Sequence, residues 1–343
     1  MRQSLAIKYR PSTFTEVCGQ QLTVDILQRM LETGNYKNCI LLAGQSGAGK
    51  TTIARILANK INKGIGEPIE MDCASVGGVE NIRAIIDSAN ERSLVGEYKI
   101  FILDECHAIS SAGWQAFLKC IEEPPLYTIF IFCTTEPHKI PTTILNRLQR
   151  YNITKIDTQS IYKRLLYVCQ SENFINYTDT CDLISKLANG CMRDALTYLD
   201  QCADYSNDLS IANTGKILGA ISYETMLKLT GFIYEKNEAK IFAVIESLDA
   251  NGTNLKHFIS NYLDFMLDIA KFIIFKNILA TTLPSYLLNN ADPLVNLQEV
   301  TNRINLEWAN LLITNLLDLK NMIKYDSHVK TSIEAMLIKF CRG

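Results

Sequence analysis

One stretch narrows the choice of fold more than any other: Gly44-Gln45-Ser46-Gly47-Ala48-Gly49-Lys50-Thr51. It fits the pattern G-x-x-x-x-G-K-[ST], and its surroundings are the ones that pattern requires. A short apolar run, CILLA at 39–43, precedes it. After it, 51–62 carries Ile53, Ile56, Leu57 and Ile61 at helical spacing. In a strand–loop–helix unit of this kind the glycines let the backbone curl so that its N–H groups face a polyphosphate. The helix N-terminus adds favourable partial charge. Lys50 would reach the β- and γ-phosphates of ATP, and Thr51 would ligate Mg²⁺. Gly44 to Thr51, with Thr52, are therefore the candidate phosphate-binding residues; a glycine-rich loop that binds nothing is the bland alternative.

The acidic pair Asp104-Glu105 ends the hydrophobic run Ile100–Leu103. Ligand sites of parallel sheets lie at the C-terminal ends of strands, so this pair is expected beside the phosphate loop. Asp104 is the candidate for the Mg²⁺ shell, and Glu105 for orienting or activating an attacking water. Taken alone, the pair could equally be two solvated acids closing a strand. His107 follows in Asp-Glu-Cys-His, either as a coupling residue or as a packed or surface histidine. The four letters resemble a helicase DExH box, but no second nucleotide-binding-sized sheet pattern follows.

Further strands are expected at 68–72, 99–104 and 127–135, and helices at 79–92 and 110–123, the latter stopped by Pro124-Pro125. Strands alternating with helices imply a parallel sheet covered on both faces. After about Ile156 helical stripes dominate, at 158–172, 177–189 and 191–204. From about 209 the chain is almost entirely helical, with amphipathic segments at 255–275 and 306–324. The expected fold is α/β plus all-α: a nucleotide-binding domain over 1–156, a small helical domain over 157–208 and a helical C-terminal domain over 209–343.

A formal net charge of −2 over 343 residues excludes a large unopposed cationic surface, so any nucleic-acid contact must come from a local patch or from helix N-termini. The 11 cysteines, none spaced as C-x-x-C and most within apolar runs, predict buried free thiols in a reducing compartment. The N-terminus lacks the apolar core of a signal peptide. The longest uncharged run, 277–291, is 15 residues with Pro284 inside it. That is too short and too polar for a bilayer of ~30 Å, so a cytoplasmic protein without membrane contact is expected.

Beyond these general motifs, several blocks resemble the AAA+ sliding-clamp loader ATPases, most closely the gamma/tau subunits of bacterial DNA polymerase III. They are Lys8-Tyr9-Arg10-Pro11 through Gly19-Gln20, Ile121-Glu122-Glu123-Pro124-Pro125, Thr134-Thr135-Glu136-Pro137-His138-Lys139 and Gly190-Cys191-Met192-Arg193-Asp194-Ala195-Leu196. The resemblance is specific over 5–205 and rests only on length and helicity from 206 to 343. It implies an AAA+ parallel-sheet domain, a helical lid and a helical collar. It also implies ATP hydrolysis to ADP and phosphate, stimulated by DNA, in a ring that opens a sliding clamp and sets it on primer–template DNA. The ring would hold other loader subunits, hetero- or homo-oligomeric, as a pentamer.

The resemblance assigns further residues. Tyr9, Arg10, Pro11 and Val17 would border the adenine, unless this arm is merely packed. Thr135, or else Thr134, matches the polar sensor of the γ-phosphate. Arg193 matches the second sensor, its guanidinium linking lid to phosphate. Arg147 matches an arginine finger acting in trans on a neighbour's ATP, although Asn146 and Leu148 stand where the family has Ser and Cys; Arg150 is the alternative. DNA contacts would come from two helix starts, through Ser75, Arg83, Ser110 and Gln115, the last linking DNA to the acidic pair. Bacterial relatives carry a four-cysteine zinc module between the positions of Ile61 and Asp72. This chain has no cysteine there, so no zinc is expected. Lacking a long C-terminal tail as well, it reads as a compact phage or divergent bacterial version. The competing readings are a helicase loader or branch-migration motor, a non-catalytic stator-type ring subunit, and a small-molecule P-loop kinase.

Overall fold

The computed structural model describes residues 3–218, 223–250, 253–275, 303–324, 326 and 328–342. The uncharged run at 277–291 lies outside the described residues. The chain divides into two compact units, one of residues 1–174 and 184–203, the other of 175–183 and 204–343.

The first unit is built on strands β1 (Cys39–Gly44), β2 (Ile69–Asp72), β3 (Lys99–Asp104), β4 (Thr128–Thr134) and β5 (Gln149–Ile153). They form one sheet in the order β2-β3-β4-β1-β5, and every pairing is parallel. Its main helices are α1 (Gln21–Thr33), α2 (Lys50–Ile61), α3 (Val79–Ala89), α4 (Ser111–Glu122), α5 (Thr158–Glu172), α6 (Thr178–Leu187) and α7 (Met192–Tyr205), of which α6 begins in the second unit.

Why the central strands read as unbroken apolar runs follows from the two-residue period of a strand. Ile40, Leu42, Ile100, Ile102, Ile129 and Ile131 point to one face, where α1 and α2 cover them with Leu27, Ile53 and Leu57. Leu41, Phe101, Leu103, Phe130 and Phe132 point to the other, under Ile82 and Ile85 of α3 and Trp114 and Phe117 of α4. Aromatic rings dominate that second face. Phe130 lies 5.1 Å from Phe117 and 5.3 Å from Phe101 between ring centroids. Phe130 is fully buried on the central strand. Phe130→Ala is expected to cost about 3–5 kcal/mol, visible as a lower denaturant midpoint for the first unit.

Helix α1 and strand β5 lie outside the elements legible in the sequence. On β5 only Tyr151 and Ile153 are buried, with the half-buried Gln149 on their side and the exposed Arg150 and Asn152 alternating with them on an edge strand. Register sets Ala43 opposite Thr134 and Asp72 opposite Asp104. The turns after β1, β3 and β4 therefore open at one edge of the sheet, as parallel-sheet sites require.

The second unit contains α8 (Ile211–Ile217), α9 (Tyr223–Tyr234), α10 (Glu238–Ala250), α11 (Leu255–Phe275), α12 (Leu306–Ile323) and α13 (Val329–Arg342). Helices α9 to α13 share a largely aliphatic core around the fully buried Tyr262, whose hydroxyl lies 2.9 Å from that of Thr230. All 11 cysteines are free thiols and only Cys18 is not buried. No described helix is long and apolar enough to cross a membrane.

Candidate nucleotide site

A cavity of about 570 Å³ opens beside the phosphate loop. Ser46, Gly47, Ala48, Gly49, Lys50, Thr51 and Thr52 line it from the loop and the start of α2. Lys50 is 5% exposed, and its ammonium donates to the carbonyls of Gly44 and Gln45, both at 3.1 Å. Gly49 sits at the N-terminus of α2 with φ +105, which only glycine adopts without strain.

Across the cavity mouth the two motifs meet. The Thr51 hydroxyl donates to Asp104 Oδ2 at 2.7 Å, and the Glu105 N–H donates to Asp104 Oδ1 at 2.9 Å. A hydroxyl and a carboxylate held together beside a buried lysine form an oxygen donor set suited to Mg²⁺. Glu105 has φ +46, a conformation that costs a non-glycine residue about 1–3 kcal/mol. This left-handed turn ends β3 and brings the Glu105 carboxylate to Thr135. Its Oε2 accepts from the Thr135 hydroxyl at 3.0 Å and the Thr135 N–H at 3.3 Å. Thr134 points elsewhere: it is fully buried, and its hydroxyl accepts from the Glu136 N–H at 3.0 Å. Of the two threonines, Thr135 is the one at the acidic pair.

Tyr9, Arg10, Pro11 and Val17 all line the cavity. The Tyr9 hydroxyl donates to Glu172, and burial followed by that bond pushes its pKa up to about 12. Burial, then the nearby Arg55 and Arg193, holds the Arg10 guanidinium below its usual range. Arg193 lines the cavity from the start of α7. That helix docks directly on the phosphate loop, since the Met192 N–H donates to the Gly47 carbonyl at 3.1 Å. A side chain at Gly47 would meet Cys191 Sγ at 2.0 Å, so this glycine permits the close approach that sets Arg193 over the cavity.

Other expected residues lie apart from the cavity. Gly44 and Gln45 line a shallower depression with Thr135 and Arg150 on the outer side of the loop. Arg147 does not reach its own phosphate loop. It pairs with Glu122 at 2.6 Å and donates to the Thr143 carbonyl. Ser110 caps α4 by accepting from the Gly113 N–H at 3.1 Å, while its own N–H donates to the Gly77 carbonyl, drawing the starts of α3 and α4 together. Ser75 donates to Asp72, Arg83 pairs with Glu80 at 3.7 Å, and Gln115 is exposed on α4.

Four charged lining residues escape sequence reasoning: Arg55, Glu70, Asp72 and Arg164. Arg55 donates twice to Glu70, at 2.7 and 2.8 Å, and Arg164 donates to the Tyr9 carbonyl at 2.9 Å. Arg55 stands four residues after Thr51 on α2, so the i,i+4 rule is a signal that could have found it. Glu70 and Arg164 reach the cavity only through folding.

The sheet, with the phosphate loop after β1 and the acidic pair at the end of β3 on either side of the central β4, defines an AAA+ P-loop protein. Solved structures agree on the fold: Thermotoga maritima RuvB T158V superposes with a TM-score of 0.53 at 18% identity, over 66% of this chain and 80% of that one. The family model for the DNA polymerase III delta subunit matches residues 67–157, and that for zeta toxin matches 24–72. Among curated relatives, the tau subunit of Bacillus subtilis DNA polymerase III is 30% identical over 99% of this chain. The Escherichia coli tau subunit is 31% identical over 73%, and the gamma subunit of Buchnera aphidicola is 27% identical over 98% of this chain and 97% of its own length. Within the AAA+ class this chain is a homologue of the bacterial DNA polymerase III gamma/tau subunits. It spans 63% of the Bacillus tau subunit and 42% of the Escherichia coli one.

Proposed function

We propose that this chain is the ATP-hydrolysing subunit of a DNA polymerase sliding-clamp loader, spending ATP to open a clamp and place it on primer–template DNA. The observation that carries the reading is the Thr51–Asp104 hydrogen bond at 2.7 Å, which joins the two phosphate-handling motifs in a chain related to gamma/tau throughout its length. Tyr9, Pro11 and Val17 offer an aromatic and two apolar surfaces for a purine, with Arg10 beside them. The loop N–H groups and Lys50 hold the phosphates. Thr51 and Asp104 hold Mg²⁺, which when bound neutralises charge on the transferred phosphoryl. Glu105 orients the attacking water, with Thr135 fixing its carboxylate, and Arg193 reports the γ-phosphate to α7. Arg147 serves the neighbouring subunit's site.

The same reading divides the chain into a nucleotide domain at 1–156, a lid at 157–208 and a collar at 209–343. The collar would build a ring, a pentamer with other loader subunits, in the cytoplasm and without zinc. Within that ring Ser75, Arg83, Ser110 and Gln115 would face the DNA backbone. A helicase loader or branch-migration motor is the second reading, and the RuvB likeness at 18% identity supports it only as far as the fold. A stator role sits poorly with Lys50, Asp104 and Glu105 all present. In the deciding experiment Mg²⁺-dependent ATP turnover is measured alone, with primed DNA and with a candidate clamp. Turnover should rise with both together. A chain that takes up no nucleotide, or whose turnover ignores primed DNA and clamp, refutes the loader reading.

A further inference from the structure

His107 lines no part of the cavity, yet it touches the carboxylate that matters most there. Its Nδ1 lies 3.3 Å from Glu105 Oε2 and 3.1 Å from the Thr134 hydroxyl oxygen. Its Nε2 lies 3.3 Å from Glu136 Oε2. The ring is mostly buried, with 18% of its side chain exposed. Glu136 begins the turn after β4, where Lys139 donates to it at 2.8 Å and His138 lies at 3.8 Å. The Lys139 hydrogen bond, foremost among its neighbours, holds the Glu136 carboxyl below the usual range. One imidazole thus spans two carboxylates, one inside the site and one on an exposed turn.

In its neutral form the ring cannot serve both sides independently. A neutral imidazole has a single N–H. If Nε2 carries it and donates to Glu136, Nδ1 has only a lone pair, which suits the Thr134 hydroxyl as donor and offers Glu105 nothing. If Nδ1 carries it, Glu105 gains a donor and Nε2 faces Glu136 bare. What Glu136 takes from Nε2 therefore decides what Nδ1 gives Glu105. Thr135 contacts the same Oε2 at 3.0 and 3.3 Å, so Glu105 shares that oxygen between Thr135 and His107.

We propose that His107 is a positioning residue for Glu105, and that it couples the acidic pair to the exposed Glu136–Lys139 turn. The inference rests on the reading above, in which Glu105 orients the attacking water.

Steady-state ATP turnover by the full chain tests it, beside equilibrium binding of a fluorescent ATP analogue. His107→Ala should lower kcat about tenfold, the order seen when an outer hydrogen-bonded partner of a working group is lost. KM and analogue affinity should stay within about twofold, because no phosphate contact changes. His107→Asn, which keeps an amide donor near the Nδ1 position that faces Glu105, should recover part of the loss. Glu136→Gln should lower kcat although it lies outside the cavity, and it should cost nothing further in the His107→Ala background. Wild-type kcat in His107→Ala, or additive effects of the two substitutions, would show a packed histidine and overturn the proposal. Should His107→Ala fail to fold, the same cycle is read from His107→Asn, which removes the contact to Glu136, and Glu136→Gln. A wild-type chain that binds the analogue but never hydrolyses ATP would instead strike the proposed function, an outcome visible before any variant is made.

Discussion

Arg147→Ala is expected to reduce ATP turnover of the assembled ring by roughly 10³–10⁵-fold while leaving each subunit able to bind nucleotide. The size comes from what a guanidinium does at a transferred phosphoryl, where it stabilises charge that grows only in the transition state. The direction in space comes from the structure. Arg147 is tied to Glu122 and to the Thr143 carbonyl, and it is absent from the lining of its own cavity. In the proposed ring, the phosphate it serves would belong to another subunit. This makes a mixing experiment decisive. An Arg147→Ala subunit keeps an intact site and lacks a finger to lend. A Glu105→Gln subunit keeps the finger and lacks the water-orienting carboxylate. Each alone should be nearly inactive, and a mixture should regain activity wherever the first receives the finger of the second. Full turnover by Arg147→Ala alone, or a mixture as inactive as its parts, would remove the trans role.

The second large effect separates chemistry from binding within one subunit. Glu105→Gln should lower kcat by roughly 10²–10⁴-fold, the contribution of a positioned acid–base group, and should leave ATP affinity nearly unchanged. The Thr51–Asp104 bond and the Lys50 ammonium do not depend on the Glu105 charge, so the phosphate grip survives. Lys50→Ala should do the opposite and lose nucleotide affinity first. Its ammonium is buried at 5% exposure and is already stripped of most water, so its charge acts on the phosphates at close range in a low dielectric. Single-turnover hydrolysis combined with equilibrium binding distinguishes the two. Normal single-turnover rates in Glu105→Gln would take the water-orienting role away from it.

Much of the site was legible because its chemistry is contiguous. A phosphate loop needs consecutive backbone N–H groups followed by a helix start, so Gly44 to Thr51 must be adjacent in the chain, and one strand end can present Asp104 and Glu105 together. The buried strands were legible for a related reason: covered on both faces, they admit few polar residues. Strand β5 was not, because an edge strand tolerates the exposed Arg150 and Asn152 between its buried residues and a polar Gln149 at its start. Arg55 was readable in principle from helical spacing, whereas Glu70 and Arg164 come from elements that nothing local ties to the loop.

From the sequence alone came the phosphate loop, the candidate residues for Mg²⁺, the sheet class and the resemblance to clamp-loader subunits. Tertiary structure alone decided that Thr135 and not Thr134 meets Glu105, that Arg147 turns away from its own phosphate loop, that α7 rests on Gly47, and that His107 lies between two carboxylates. The division has a physical cause. Hydrogen bonds between side chains depend on positions to within a few tenths of an ångström, and those positions are set by sheet register and helix docking among residues far apart in the chain, where local pattern carries no information about direction.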